Sequence, residues 1–276
     1  TNARGLMHGD PLSVPASPSL EAVRALIREA DLVLAVGTEI GLTDYDMYAT
    51  GGMPDLSAMI RIDICPDQLG RHPAALTLAG DAAQTLAALS GLLAPHAPRV
   101  AGDGAARAER ARAAARSEVA TLDPGMPAEI AMLEAMRDAL PGAIIVGDST
   151  QAVYAGNLFY DHDRPGGWFN AATGFGALGY APGAAIGAAL AAPGVEVICL
   201  IGDGGLQFSP GELMTAVDER LPVSFVVWNN AGFGEIADAM ADAGAPVLGC
   251  DPTPPRFDLL AAACAIPYAA VEASPA

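Results

Sequence analysis

The chain has no lysine. Its 14 basic residues are all arginine, set against 32 acidic ones for a formal net charge of −18. Without lysine there is no Walker-type phosphate loop, no pyridoxal Schiff base and no amine nucleophile in this sequence. So acidic a chain does not take nucleic acid or an anionic membrane as its main partner. Cysteine is scarce too. Cys65, Cys199, Cys250 and Cys264 form no CxxC pair and sit mostly in apolar runs. They read as buried thiols in a reducing cytoplasm, the expected location. The four histidines are scattered and offer no His/Cys cluster for zinc. No apolar run is long enough to span a bilayer, and the opening residues do not read as a signal peptide.

What is present is small, apolar and rich in turns. Hydrophobic residues make up 52% of the chain, which excludes a polar disordered segment. The length suits about two ordinary domains. "SLEAVRALIREADLVLAVGTEIG" reads as a helix from residue 19 and a strand over 32–36. "SAMIRIDICPDQLG" gives a strand over 59–64, and "AALTLAGDAAQTLAALSGLL" a short strand and then a helix. Residues 96–127 are apolar-poor and carry Arg107, Arg110, Arg112 and Arg116. They read as a solvated linker helix rather than a basic binding patch. Further on come a helix over 128–140, a strand over 143–146, a small-residue helix near 182–192 and a strand over 195–201. A helix over 211–218 and a strand over 223–228 complete the series. Such alternation with β-branched strands predicts an α/β protein of two doubly wound, mainly parallel sheets. The boundaries read as 1–100, a linker over 101–125, and 126–276. "TNARGLMHGDP" reads as loop, and "AVEASPA" follows what reads as a strand with no closing helix. The expectation is an internal fragment, truncated at both ends.

Two strand ends carry chemistry. "ICLIGDGGLQF" places Asp203 among Gly202, Gly204 and Gly205 at the end of an apolar strand. "SFVVWNNAGFG" places Asn229 and Asn230 at the end of the next strand, and 24 residues separate Gly204 from Asn229, room for one crossover helix. In open parallel sheets ligands sit at the carboxyl ends of strands. One carboxylate, one amide oxygen and nearby carbonyls form a hard set of oxygen donors. It suits Mg²⁺, which takes further oxygens from a phosphate. The glycines would let the backbone approach that phosphate, with the following helix offering its N-terminus. The plain reading, an Asp-Gly turn and an Asn-Asn turn, accounts for either half alone better than for the pair.

"GDGGLQF…WNN" resembles the thiamine diphosphate signature of the acetolactate synthase, pyruvate decarboxylase and benzoylformate decarboxylase group. "RIDICPDQLG" resembles the DIDP segment of that group's central domain. The resemblance implies a Rossmann-like central domain followed by a thiamine diphosphate-binding domain. It implies Mg²⁺ on Asp203, the Asn230 side chain and the Gly232 carbonyl. Gly202, Gly204 and Gly205 would cradle the diphosphate, with Phe233 nearby, and Gly147, Asp148, Ser149 and Thr150 ("GDST") would line the cofactor channel. In "FGALGYAPGAAIGA", Leu178 takes the place of the large aliphatic residue that holds the cofactor bent. The Gly176 carbonyl would accept a hydrogen bond from its aminopyrimidine. The chemistry implied is loss of CO₂ from a 2-oxo acid, with the thiazolium ring as electron sink. The family's catalytic glutamate lies on an N-terminal domain, across a homodimer or homotetramer interface. No catalytic residue is therefore assigned in this chain, which alone would be inactive. FAD is carried by acetolactate synthases near the position of "LAVGTEIG", although many relatives keep the fold without it.

Alternatives remain. Gly174-x-Gly176-x-x-Gly179 matches the dinucleotide fingerprint. No strand is read before it in "GGWFNAAT" and no acid lies beyond it in "GAALAAPG", so nicotinamide oxidoreduction is the weaker reading. A non-catalytic relative would keep the fold alone. Acetolactate synthases usually carry Met and Trp after the NN pair, whereas here Glu235, Asp238 and Asp242 share one helix face. "GDSTQAVYAGN" and "GGWFNAATGFGALGY" resemble decarboxylases of guanidino 2-oxo acids. Glu235 is thus a candidate substrate residue for a cationic acid, against the plain reading of a solvated helix face and the alternative of acetolactate-type carboligation.

Overall fold

The computed structural model describes residues 3–46, 55–96 and 102–272. The chain falls into two compact units, one of Pro11–Glu118 and one of Thr1–Asp10 with Val119–Ala276.

The first unit holds α1 (Glu21–Arg28), β1 (Leu34–Val36), α2 (Leu42–Tyr45), β2 (Ile60–Asp63), α3 (Pro66–Leu69), β3 (Leu76–Ala79) and α4 (Ala82–Leu93). Its three strands are parallel in the order β1-β2-β3. Arg61, in the central strand, is 1% exposed and donates to the carbonyls of Gln68 (2.7 Å) and Thr38 (2.8 Å). A buried guanidinium with several carbonyl partners ties the loops after β1 and β2 together, and leaves none of its charge unsolvated. Arg24 does the same for α1, pairing with Asp46 at 2.9 Å.

The helix foreseen around residue 110 is α5 (Gly104–Leu122). It is more than a solvated connector. Ala108, Ala111, Ala115 and Val119 form a buried stripe at spacings of three and four. Glu118 accepts from the amides of Glu21 and Ala22, capping α1, and Arg112 donates to the Ser13 carbonyl at 2.6 Å. The start of that stretch, residues 97–101, lies outside the described residues.

The second unit holds α6 (Met126–Ala139), β4 (Ile144–Gly147), α7 (Gln151–Leu158), β5 (Trp168–Asn170), α8 (Tyr180–Ala191) and β6 (Val197–Gly202). It continues with α9 (Asp203–Leu206), α10 (Glu212–Asp218), β7 (Val223–Trp228), α11 (Gly234–Asp242) and α12 (Phe257–Ala263). All four strands are parallel, in the order β5-β4-β6-β7. The period-2 pattern sorts the core. Ile144, Val146, Val197, Cys199 and Ile201 face α8, while Ile145, Ile198 and Leu200 face Leu133, Val153 and Trp168 on the other side. Ala181, Ala185 and Ala189 repeat every four residues along α8, and their small side chains let that helix lie close on the sheet.

Two readings are corrected. "GGWFNAAT" does contain a strand: β5 is three residues long, too short for a period to show. Its order comes from tertiary contacts. Trp168 Nε1 and Asn170 Nδ2 both donate to Asn157 Oδ1, at 3.2 and 2.8 Å. Near the carboxyl end, residues 264–272 form no strand. Residues 273–276 lie outside the described ones.

Gly156, on α7, faces Leu133 and Trp168. A methyl group there would stand 2.7 Å from each. Gly156→Ala is expected to lower the stability of this unit by about 1–3 kcal/mol through overpacking, seen as a lower urea midpoint.

Candidate active site

The order β5-β4-β6-β7 reverses direction between β4 and β6. A doubly wound sheet opens a crevice at such a point, beyond the carboxyl ends of the strands. The chain places Ser149 and Thr150 after β4, Asp203 after β6 and Asn230 after β7 at that edge. They line one cavity of about 260 Å³, together with Leu178 from the loop before α8.

Asp148 organises the wall without lining it. It is fully buried and accepts from the amides of Ser149 (3.0 Å) and Gly179 (3.2 Å) on one oxygen and of Ala181 (3.0 Å) on the other. Burial pushes its carboxyl upward, and these amides pull it back down. It therefore occupies the N-terminus of α8, where an acid is favoured by the helix dipole. Asp148 is not among the residues that line this cavity. Gly147 is also internal, packed on Val153 and Asn170. The same contact closes the dinucleotide reading from a new side. A strand does precede Gly174, but the helix N-terminus that would take a pyrophosphate already holds Asp148.

Asp203 has no such partners. It is 1% exposed, and among the described residues neither carboxylate oxygen makes a hydrogen bond. Burial raises its pKa, and the amides of Gly204 and Asn230 lie near enough to oppose that only in part. Beside it, Asn230 donates from Nδ2 to Gln151 Oε1 at 2.8 Å, while its Oδ1 accepts from the Gly232 amide at 3.2 Å. The turn is pinned by the Phe233 amide, which donates to the Cys250 carbonyl at 2.8 Å. A buried carboxylate without a proton donor, next to an amide oxygen and backbone carbonyls, is the donor set of a hard cation.

The glycines have protein reasons. A methyl on Gly204 would meet the Phe233 ring at 2.4 Å, and one on Gly205 would meet Asp148 Oδ1 at 2.9 Å. A methyl on Gly202 would meet Thr150 Oγ1 at 3.3 Å. Gly176 has φ +64°, and its carbonyl accepts from Ser149 Oγ at 2.9 Å. The helix that starts at Asp203 is a single turn, so the longer helix foreseen after the glycines, α10, begins further on.

Gly232, Phe233 and Glu235 also line the cavity, as do Gln151, Tyr154, Gly234 and Ile236, which the sequence reading passed over. Gln151 directly follows "GDST" and could have been found by extending that strand end by one residue. Glu235 is exposed as a residue and lines the cavity. Partial burial of its carboxyl, then Asp238 and Asp123, raise its pKa. Glu129, on α6, is 8% exposed, and burial followed by Asp123 and Glu235 pushes its pKa up to about 7.

A parallel α/β unit with an orphaned carboxylate at its switch point has the layout of a cofactor-binding enzyme domain. Residues 147–276 match the thiamine pyrophosphate enzyme C-terminal TPP-binding domain, and residues 2–89 match the central domain of the same family. The chain belongs to the thiamine pyrophosphate enzymes. It is 39% identical over 269 residues to "Probable 2-ketoarginine decarboxylase AruI" of Pseudomonas aeruginosa, covering 95% of this chain and 47% of that one. It is 30% identical over 222 residues to benzoylformate decarboxylase of the same organism, covering 79% and 39%. Against an acetolactate synthase of Mycobacterium bovis it is 27% identical over 239 residues, covering 83% and 37%. The chain thus spans less than half the length of these curated relatives. Among the described residues no helix is long and apolar enough to cross a membrane.

Burial, then Asp123 and Glu235, push the Glu129 carboxyl from 4.5 up to about 7, so the fold disfavours its charged form. Its contribution to stability is therefore lost as pH rises from about 4.5 through 7. Glu129→Gln is expected to remove that loss, about 1–2 kcal/mol at pH 8 once solvent screening of the carboxyl is allowed for, as measured by denaturation at pH 5 and 8.

Proposed function

We propose that the whole protein is a thiamine diphosphate- and Mg²⁺-dependent decarboxylase of a 2-oxo acid with a guanidino end. The observation that carries this reading is Asp203: a buried carboxylate with both oxygens unpartnered, one strand away from Asn230, at the switch point of the sheet. Asp203, the Asn230 side chain and the Gly232 carbonyl would hold the metal. Gln151 holds the Asn230 amide in place by accepting from its Nδ2. Gly204 and Gly205, flattened by Phe233 and Asp148, leave the backbone open to a diphosphate. When bound, the cofactor would supply an electron sink for loss of CO₂. Leu178 and Gly176 would shape the wall against its ring system, and Ser149, on the Gly176 carbonyl, would fix that wall. Glu235 at the rim supplies a negative charge where a cationic side chain would lie. The names of the relatives support the reaction class, and the likeness to a 2-ketoarginine decarboxylase supports the substrate. A cytoplasmic homo-oligomer fits the four free thiols and the family, but acetolactate-type carboligation remains the rival outcome.

The test uses the complete gene product. Mg²⁺ with thiamine diphosphate at about a hundred times Kd should stabilise the protein by about 2.7 kcal/mol, and Asp203→Asn should abolish the shift. CO₂ release from 5-guanidino-2-oxopentanoate should depend on the cofactor and exceed that from pyruvate. Acetolactate formed from pyruvate would instead establish the carboligase. Glu235→Gln should raise KM for the guanidino acid about tenfold, and an unchanged KM removes Glu235 from the substrate site.

A further inference from the structure

We infer that Gln151 is a positioning residue for the metal: it decides which end of the Asn230 carboxamide the cavity offers. It takes the nitrogen, and the oxygen is left for a cation. The inference rests on the metal reading above.

A carboxamide has two ends of nearly equal size and opposite chemistry. Only the oxygen can hold a cation; turned over, the group would aim N–H donors at it. Asn230 is exposed at the end of β7, so packing alone does not fix the choice. Hydrogen bonds do. The Gly232 amide can only donate, so the atom 3.2 Å from it is Oδ1. Nδ2 then points to Gln151, whose Oε1 accepts from it at the shorter distance of 2.8 Å. The Gly232 amide uses one lone pair of the Asn230 oxygen, and the second remains for a cation.

The neighbouring chain keeps Gln151 in reach. Thr150, with φ −150° and ψ 157°, is the N-cap of α7, and Gln151 is the first residue of that helix. From there its side chain crosses to the start of α11. A methyl on Gly234, the first residue of α11, would stand 2.5 Å from Gln151 Nε2 and 3.4 Å from Asn230 Nδ2. The two carboxamides thus meet over a residue that has no side chain. Ala231 lies in the left-handed region at φ +56°, and its amide donates to Asn229 Oδ1 at 3.1 Å. That turn brings the Gly232 amide back onto Asn230. Gln151, Asn230, Gly232 and Asp203 line one cavity. A partner one bond removed from a metal orients the ligand, and its loss changes metal affinity by about 10–100-fold.

The test uses the complete gene product at a fixed, saturating concentration of thiamine diphosphate. It reads the Mg²⁺ concentration that gives half of the thermal stabilisation. Gln151→Met removes the acceptor at nearly unchanged size and should raise that concentration about tenfold. Gln151→Glu keeps an acceptor oxygen and should stay within about threefold of the wild type. Asn230→Asp has an oxygen at both ends, so there is no choice left to make. In that background Gln151→Met should shift the Mg²⁺ requirement by less than about twofold. An equal shift in both backgrounds means that Gln151 acts on the diphosphate or on packing, and it overturns the inference, as does no shift in either. If Asn230→Asp alone no longer responds to Mg²⁺, Gln151→Met and Gln151→Glu decide, and equal losses in the two overturn it. If Asp203→Asn leaves the Mg²⁺ response unchanged, the metal reading itself falls and takes this inference with it. If Asp203→Asn abolishes the response and Gln151→Met does not alter it, only the role of Gln151 falls.

Discussion

The second unit is assembled around the carboxylate of Asp148. It sits at the end of β4 with no solvent, and three backbone amides from two segments of the chain converge on it. Through those bonds the turn after β4, the loop before α8 and the first turn of α8 share one anchor. Gly205 is close enough that only hydrogen can replace its side chain against the same oxygen. The turn after β4 and the loop before α8, which both line the cavity, are therefore placed by one buried carboxylate. Burying that charge is tolerated because amides and a helix terminus solvate it in place of water.

Asp203 shows the opposite use of the same residue type. It ends the neighbouring strand and is buried too, but among the described residues neither of its carboxylate oxygens makes a hydrogen bond. Asp148 is satisfied by the protein and is structural. Asp203 is left unsatisfied among the described residues. Glu129 on α6 is largely buried and Glu235 on α11 lines the cavity, and for both burial and then neighbouring acids raise the pKa. The deficit of positive charge seen in the sequence is thus uneven across the unit. In the first unit Arg24 and Arg61 are buried and fully engaged, while the cavity of the second is left with carboxylates alone.

Much of this was legible beforehand. The strands of both units were readable because runs such as "VICLIG" and "VSFVVW" are β-branched, apolar and bounded by turns. β5 was not, because a three-residue strand carries no period and owes its order to Trp168 and Asn170 meeting Asn157. Asp203 and Asn230 were readable because the pairing of an acid and an amide after two apolar strands is rare by chance. Glu129 was not, since one glutamate on an amphipathic helix looks like surface until the helix is packed.

The sequence by itself determined the α/β class, the family and the chemistry of the donor set, since these follow from residue types at short spacing along single strands and turns. The tertiary structure decided which carboxylates are satisfied. Asp148, Asp203, Glu129 and Glu235 are alike as letters. Their difference arises from which amides, helix termini and charges lie within a few ångströms, and those neighbours come from segments far apart in the chain.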